Sequence, residues 1–253
     1  MPADIWANSC ALFSLGGAMT PPDRRQAPVS IEHAIQVAGI PGRDVARMLC
    51  ECGVDYLGFP LGLTVHREDV SKAEAARIIR ELDPPPHVVL ITYLDTAAEV
   101  SRLCRYLGVS IVQLHGTISV AELAALRALD PALTVIKSVI IEAGHPPTYE
   151  SDINEVVDYV DAFITDTFDA RTGACGATGK THDWGISRRI VEFSTRPVIL
   201  AGGLNPVNVK DAICEVRPAG VDVHTGVEDS RGVKKRELVE AFVSEARDAF
   251  DNL

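Results

Sequence analysis

The 253-residue chain has no basic surplus: 24 Lys+Arg stand against 35 Asp+Glu, a formal net charge of −11. That balance argues against tracking a phosphate backbone over a broad surface, and so against nucleic acid as a partner. No apolar run approaches the roughly 18 residues a membrane helix needs, so no membrane span is predicted. Residues 11–19 are mildly apolar, but Asp4 is the sole charge before them, which makes a poor secretory leader. Residues 1–30 read instead as an extension outside the folded domain, with Pro21, Pro22 and Pro28 in an unpatterned stretch. The cysteines (Cys10, Cys50, Cys52, Cys104, Cys175 and Cys214) form no Cys-x-x-Cys pair and no cluster with histidine. They read as mostly buried, reduced thiols of a cytoplasmic protein, and no metal site is expected. A Gly-x-Gly-x-x-Gly turn is also missing after the first strand, where the chain has Gly39-Ile40-Pro41-Gly42. That argues against a doubly wound dinucleotide-binding sheet.

What is present is a rhythm. Eight short, nearly continuous apolar runs at 34–39, 54–59, 87–93, 110–114, 134–139, 160–166, 196–201 and 220–223 read as strands covered on both faces. Between them, apolar residues at three- and four-residue spacing predict helices over 43–51, 72–82, 97–107, 120–129, 150–158, 186–193, 206–216 and 234–250. Ser71, Asp95 and Ser119 are predicted N-caps, Ser119 with Glu122 as a capping box. Asn205 before Pro206 predicts another helix start, and Gly53 and Gly108 suit left-handed helix ends. Eight strand–helix units without a linker predict an α/β fold, a single-domain (β/α)8 TIM barrel over residues 31–253.

In that fold the chemistry sits at the C-terminal ends of the strands. Gly202-Gly203 and Thr225-Gly226 open the last two loops, where small residues let backbone N–H groups approach a phosphate. Asp166 ends an apolar strand, where burial would raise its pKa toward general-acid work; a capping or salt-bridge role is the alternative. His115 and His224 are strand-end candidates for proton transfer, although a structural histidine is the first reading of each. Gln113 is a strand-end candidate for substrate contact. Lys137 invites a Schiff-base reading or a salt bridge. Residues 168–181 suit a ligand-covering loop. Its Gly179-Lys180-Thr181 imitates a P-loop, but Gly173 lies six residues before Gly179 where the motif needs five.

Several longer segments carry a resemblance. They are Gly53-Val54-Asp55-Tyr56-Leu57-Gly58-Phe59, Val112-Gln113-Leu114-His115-Gly116 and Gly179-Lys180-Thr181-His182-Asp183-Trp184. The strongest are Pro197-Val198-Ile199-Leu200-Ala201-Gly202-Gly203-Leu204-Asn205-Pro206 and Gly220-Val221-Asp222-Val223-His224-Thr225-Gly226-Val227-Glu228. Over about residues 35–250 the chain resembles phosphoribosylanthranilate isomerases, barrel enzymes of tryptophan biosynthesis. The resemblance implies an Amadori rearrangement of an N-(5-phosphoribosyl) amine to an aminoketose, without metal or organic cofactor. It implies a small phosphorylated metabolite as ligand and a monomer or homodimer. The family's general acid matches Asp166.

Three departures stand out. The family's general base is the cysteine of Lys-Ile-Cys-Gly, and the matching stretch here is Gln36-Val37-Ala38-Gly39. The family's anthranilate-binding arginine has only an approximate counterpart, Arg67, in a stretch apparently one residue longer. The family's Ser-Ser-Gly becomes His224-Thr225-Gly226. The acid and phosphate ends are spared while the base and aglycone ends change, which suggests a paralogue with a different amine on its phosphosugar. A lyase or epimerase of the same fold and a non-catalytic phosphometabolite-binding protein are the alternatives. His224 is the first expected substitute for the base, then His115 and Cys175.

Overall fold

The computed structural model describes residues 30–63, 68–83, 86–141, 149–169, 174–175 and 182–253. The strands are β1 (Ala34–Ala38), β2 (Tyr56–Pro60), β3 (His87–Thr92), β4 (Ile111–Leu114), β5 (Thr134–Ile141), β6 (Ala162–Asp169), β7 (Ala174–Cys175), β8 (Val198–Leu200) and β9 (Gly220–Val223). All but β7 pair in parallel. Each barrel strand lies beside its successor, β9 returns to β1, and β5 pairs with β6, so the sheet closes into an eight-stranded barrel. The helices α1 (Arg43–Glu51), α2 (Lys72–Glu81), α3 (Ala97–Leu107), α4 (Val120–Leu129), α5 (Tyr149–Val156), α6 (Trp184–Phe193), α7 (Val209–Val216) and α8 (Arg236–Asp251) follow the strands. This is the predicted TIM barrel. Among the described residues no helix is long and apolar enough to cross a membrane.

Side chains alternate between two cores, as the pleat requires. Ala34, Ala38, Val89, Ile111, Ile136, Ala162, Ile164 and Ile199 fill the barrel interior. Ile35, Val37, Leu57, Phe59, Val135, Phe163 and Val221 face the helices.

Several boundaries differ from the sequence reading. The second strand begins at Tyr56, because Asp55 turns its carboxylate back to the Ile35 amide (2.9 Å). Helix α6 starts two residues earlier than expected, at Trp184, because the Asp183 carboxylate caps the Gly185 amide (2.9 Å). Helix α7 starts at Val209; Asn205 and Pro206 form a preceding turn in which Asn205 Oδ1 accepts the Val207 amide. Helix α5 gives way to a 3-10 turn at Val157–Tyr159. Ser71 and Ser119 cap α2 and α4 as expected, but α3 is preceded by Thr96, without a side-chain cap, rather than by Asp95. Glu122 completes no capping box: its carboxylate accepts the Ala97 amide (2.7 Å), so it caps the neighbouring helix α3 instead. Gly108 ends α3 in the left-handed conformation. The four described cysteines are free; Cys104 alone is buried and Cys214 is exposed. The extension over 1–29, with Cys10, lies outside the described residues.

At the N-terminal end of the barrel one device occurs twice, four strands apart. Asp55, before β2, accepts the Ile35 amide of β1 and pairs with Arg247 of α8 (2.6 Å), which also donates to the His33 carbonyl (2.9 Å). Asp161, before β6, accepts the Val135 amide of β5 (2.7 Å) and pairs with Arg127 of α4, which also donates to the Leu133 carbonyl (2.7 Å). In both, the arginine of the preceding helix and the aspartate of the next strand satisfy strand-end backbone groups that would otherwise be orphaned. Asp55→Ala and Asp161→Ala are each expected to lower stability by about 1–3 kcal/mol. Urea denaturation is expected to show the two losses adding, since the sites share no partner.

Candidate active site

Strand parity delivers the site. Ala162 and Ile164 face the barrel interior, so Asp166 does too; Gly220 and Asp222 do the same on β9 and bring His224 inward after them. Asp166, Asp222, His224 and the backbone of residues 202–204 and 225–226 line one cleft at the C-terminal mouth.

Asp166 is buried, with its Oδ1 accepting the Thr167 amide at 2.7 Å. Burial pushes its pKa up to about 7, against the Thr167 hydrogen bond, and the nearby Asp222 carboxylate adds to the rise. The carboxyl is therefore poised to donate a proton near neutrality. Asp222, missed in the sequence reading, is also buried, and burial lifts its pKa to about 6 against the Gln36 amide and Lys234. Among the described residues its Oδ1 has no hydrogen-bond partner. Alternation from His224 would have flagged it, but the apolar run Gly220–Val223 reads as plain core.

The His224 ring lies over β1. A Cβ on Gly39, which has φ +79°, would overlap the imidazole at Nε2. His224 thus sits against the residue that follows Ala38, at the strand end where the resemblance leads one to expect a base. Its Nε2 is 3.6 Å from Glu228 Oε1. Glu228 also pairs with Lys234 (2.9 Å), whose almost wholly buried ammonium donates to the His224 carbonyl (3.0 Å). Glu228 and Lys234 were not singled out in the sequence either.

The glycine turns interlock. Gly202 and Gly203 both have positive φ, and a Cβ on Gly226 would run into the Leu204 carbonyl oxygen, so the two loop backbones touch. A 3-10 turn at Thr225–Val227 follows directly. Gly202, Gly203, Thr225 and Gly226 therefore surround one small space with backbone.

Three expectations fare differently. His115 is buried, with Nδ1 2.9 Å from Ser138 Oγ and its ring edge-on to Tyr93, and it lies outside the cleft wall. Gln113 is buried and accepts from the Gln36 amide (3.0 Å), within the barrel interior beside Asp222. Lys137 shares its parity with Val135 and Val139 and so leaves the barrel, donating to the Gly116 and Ser138 carbonyls (3.1 and 3.0 Å). The Schiff-base reading fails on that direction. Arg67 and residues 170–173 and 176–181 lie outside the described residues, as does the Cys175 thiol. Among the described residues no His/Cys/Asp/Glu group could hold a metal.

The Asp166 carboxyl is expected to titrate near pH 7 by carbon-13 NMR. In Asp222→Asn the neighbouring negative charge is gone, ionised Asp166 is favoured, and the titration is expected to move to lower pH. An upward or absent shift would contradict the pairing.

Comparison with known proteins agrees with the fold. Residues 28–245 match the family model for N-(5'-phosphoribosyl)anthranilate (PRA) isomerase. The chain is 41% identical over 223 residues to N-(5'-phosphoribosyl)anthranilate isomerase 2 of Methanosarcina mazei, covering 85% of this chain and 95% of that one. Phosphoribosyl anthranilate isomerase from Thermotoga maritima superposes with a TM-score of 0.70 at 28% identity, over 85% of this chain and 99% of that one. A phosphoribosyl anthranilate isomerase in complex with reduced 1-(o-carboxyphenylamino)-1-deoxyribulose 5-phosphate gives 0.68 at 27%, over 85% and 99%. With the family model matching residues 28–245 and a relative 41% identical over 85% of the chain, the chain belongs to the N-(5'-phosphoribosyl)anthranilate isomerase family.

Proposed function

We propose that the protein isomerises N-(5'-phosphoribosyl)anthranilate itself, the substrate its relatives are named for, rather than a conjugate of the different amine that the departures suggested, with Asp166 as general acid and His224 as general base. The observation that carries the reading is the cleft itself. A buried carboxyl near neutrality lines it together with an imidazole laid over Gly39, beside Ala38.

The interlocked turns at Gly202-Gly203 and Thr225-Gly226 supply backbone donors for the phosphate. Phosphate held there fixes the ribose across the mouth of the barrel. Asp166 gives its proton to the ring oxygen; the C1–oxygen bond breaks and the anthranilate nitrogen's lone pair forms the iminium. His224 then removes the C2 proton, and that electron pair neutralises the iminium to give an enolamine. Ketonisation, with a proton added at C1, yields the aminoketose. The imidazolium formed on the way is stabilised by Glu228, which Lys234 holds in place. Arg67 is the residue for the anthranilate carboxylate, on the strength of the resemblance alone.

General-base loss costs about 10²–10⁴-fold in rate. Steady-state turnover of phosphoribosylanthranilate is expected in the wild type, with losses of that order in both Asp166→Asn and His224→Asn. Adding Ala38→Cys to His224→Asn is expected to restore part of the rate. Wild-type-like turnover in His224→Asn would place the base elsewhere. Binding of substrate without turnover by the wild type would make the protein a phosphometabolite binder.

A further inference from the structure

His182 belongs to none of the roles above, yet it touches both halves of the site. Its Nδ1 is 2.9 Å from Thr167 Oγ1 and its Nε2 is 2.6 Å from Ser187 Oγ on α6. Ser187 is fully buried, and Thr167 nearly so. Thr167 in turn donates its amide to Asp166 Oδ1 at 2.7 Å. Parity sends the Thr167 side chain out of the barrel, away from the cleft, so its hydroxyl never meets substrate. Gly202 completes the cluster. With φ +98° it has no side chain, and a Cβ there would overlap Thr167 Oγ1 and press on His182 Nδ1.

A hydroxyl can give or take a hydrogen bond, so a neutral imidazole between two hydroxyls satisfies both of its nitrogens in either tautomer. Burial keeps the ring neutral, lowering its pKa to about 4 against the pull of Asp183. The ring therefore acts as a fixed spacer and brings no charge of its own toward Asp166.

We propose that His182 is a positioning residue: through Thr167 it fixes the amide that holds the Asp166 carboxyl, and ties that strand end to α6 and to the Gly202 turn. The proposal rests on Asp166 being the general acid. A misplacement of about 1 Å at a reacting group costs on the order of 100-fold in rate, so a rigid hold on the acid is worth building.

The experiment uses the full chain in four variants. His182→Phe and Thr167→Val break the relay without opening a void, their double combination tests the coupling, and His182→Asn retains a polar group toward Thr167. Two readouts are taken: the Asp166 carboxyl titration by carbon-13 NMR, assigned with Asp166→Asn, and kcat and KM with phosphoribosylanthranilate. The amide bond favours the ionised carboxyl, so loosening it raises the pKa. The titration is expected to move to higher pH in His182→Phe and Thr167→Val. With it, kcat is expected to fall about 10- to 100-fold at nearly constant KM. The double variant is expected to be no worse than the poorer single, because both break one chain of contacts. His182→Asn is expected to recover most of kcat. An unmoved titration, additive losses, or wild-type kcat in His182→Phe and Thr167→Val would overturn the proposal. Wild-type turnover retained in Asp166→Asn would instead overturn the acid assignment. The titration still reads the relay if no variant turns over.

Discussion

Alternation along eight parallel strands closed into a ring is the constraint from which the site follows. Each strand must send every second side chain into a narrow interior, where an apolar layer packs and a polar side chain must find a partner or a use. Gln36, Gln113, Asp166, Asp222 and His224 are inward by that rule, and the amide pair between the two glutamines satisfies part of the polar layer. Asp166 and Asp222 line the same cleft as two buried carboxyls; burial raises the pKa of both, and the Asp222 charge adds to the rise at Asp166. The same rule removes Lys137 from the chemistry and turns Thr167 toward α6.

The period of the apolar residues made the barrel legible, and the ends of its strands made Asp166, His224 and the two glycine turns legible as candidates. Local signals misled where tertiary contacts compete for the same groups. Glu122 has the spacing of a capping box, yet the free amide of Ala97 on the neighbouring helix takes its carboxylate. Asn205 has the look of a helix start but is used one turn early. Asp222 was hidden because a single carboxylate in an apolar run reads as core until the parity of its strand is known. Glu228, Lys234 and His182 act through contacts to residues at other points of the chain, which no local pattern displays.

The turn after β1 and the residue after β9 are neighbours in space. The His224 ring covers Gly39, which is small enough to be covered. A larger residue at 39 and an imidazole at 224 exclude each other. The two positions are far apart in the sequence, and only the closure of β9 onto β1 makes them neighbours.

The paired arginine–aspartate clamps lie at the opposite end of the barrel from the cleft. They hold β1 with β2 and β5 with β6, on opposite sides of the ring, through backbone groups that every sequence possesses. The scaffold is thus riveted at its base in two places, and its rim is left to be recut. Residues at the mouth can be changed without loosening the ring that carries them.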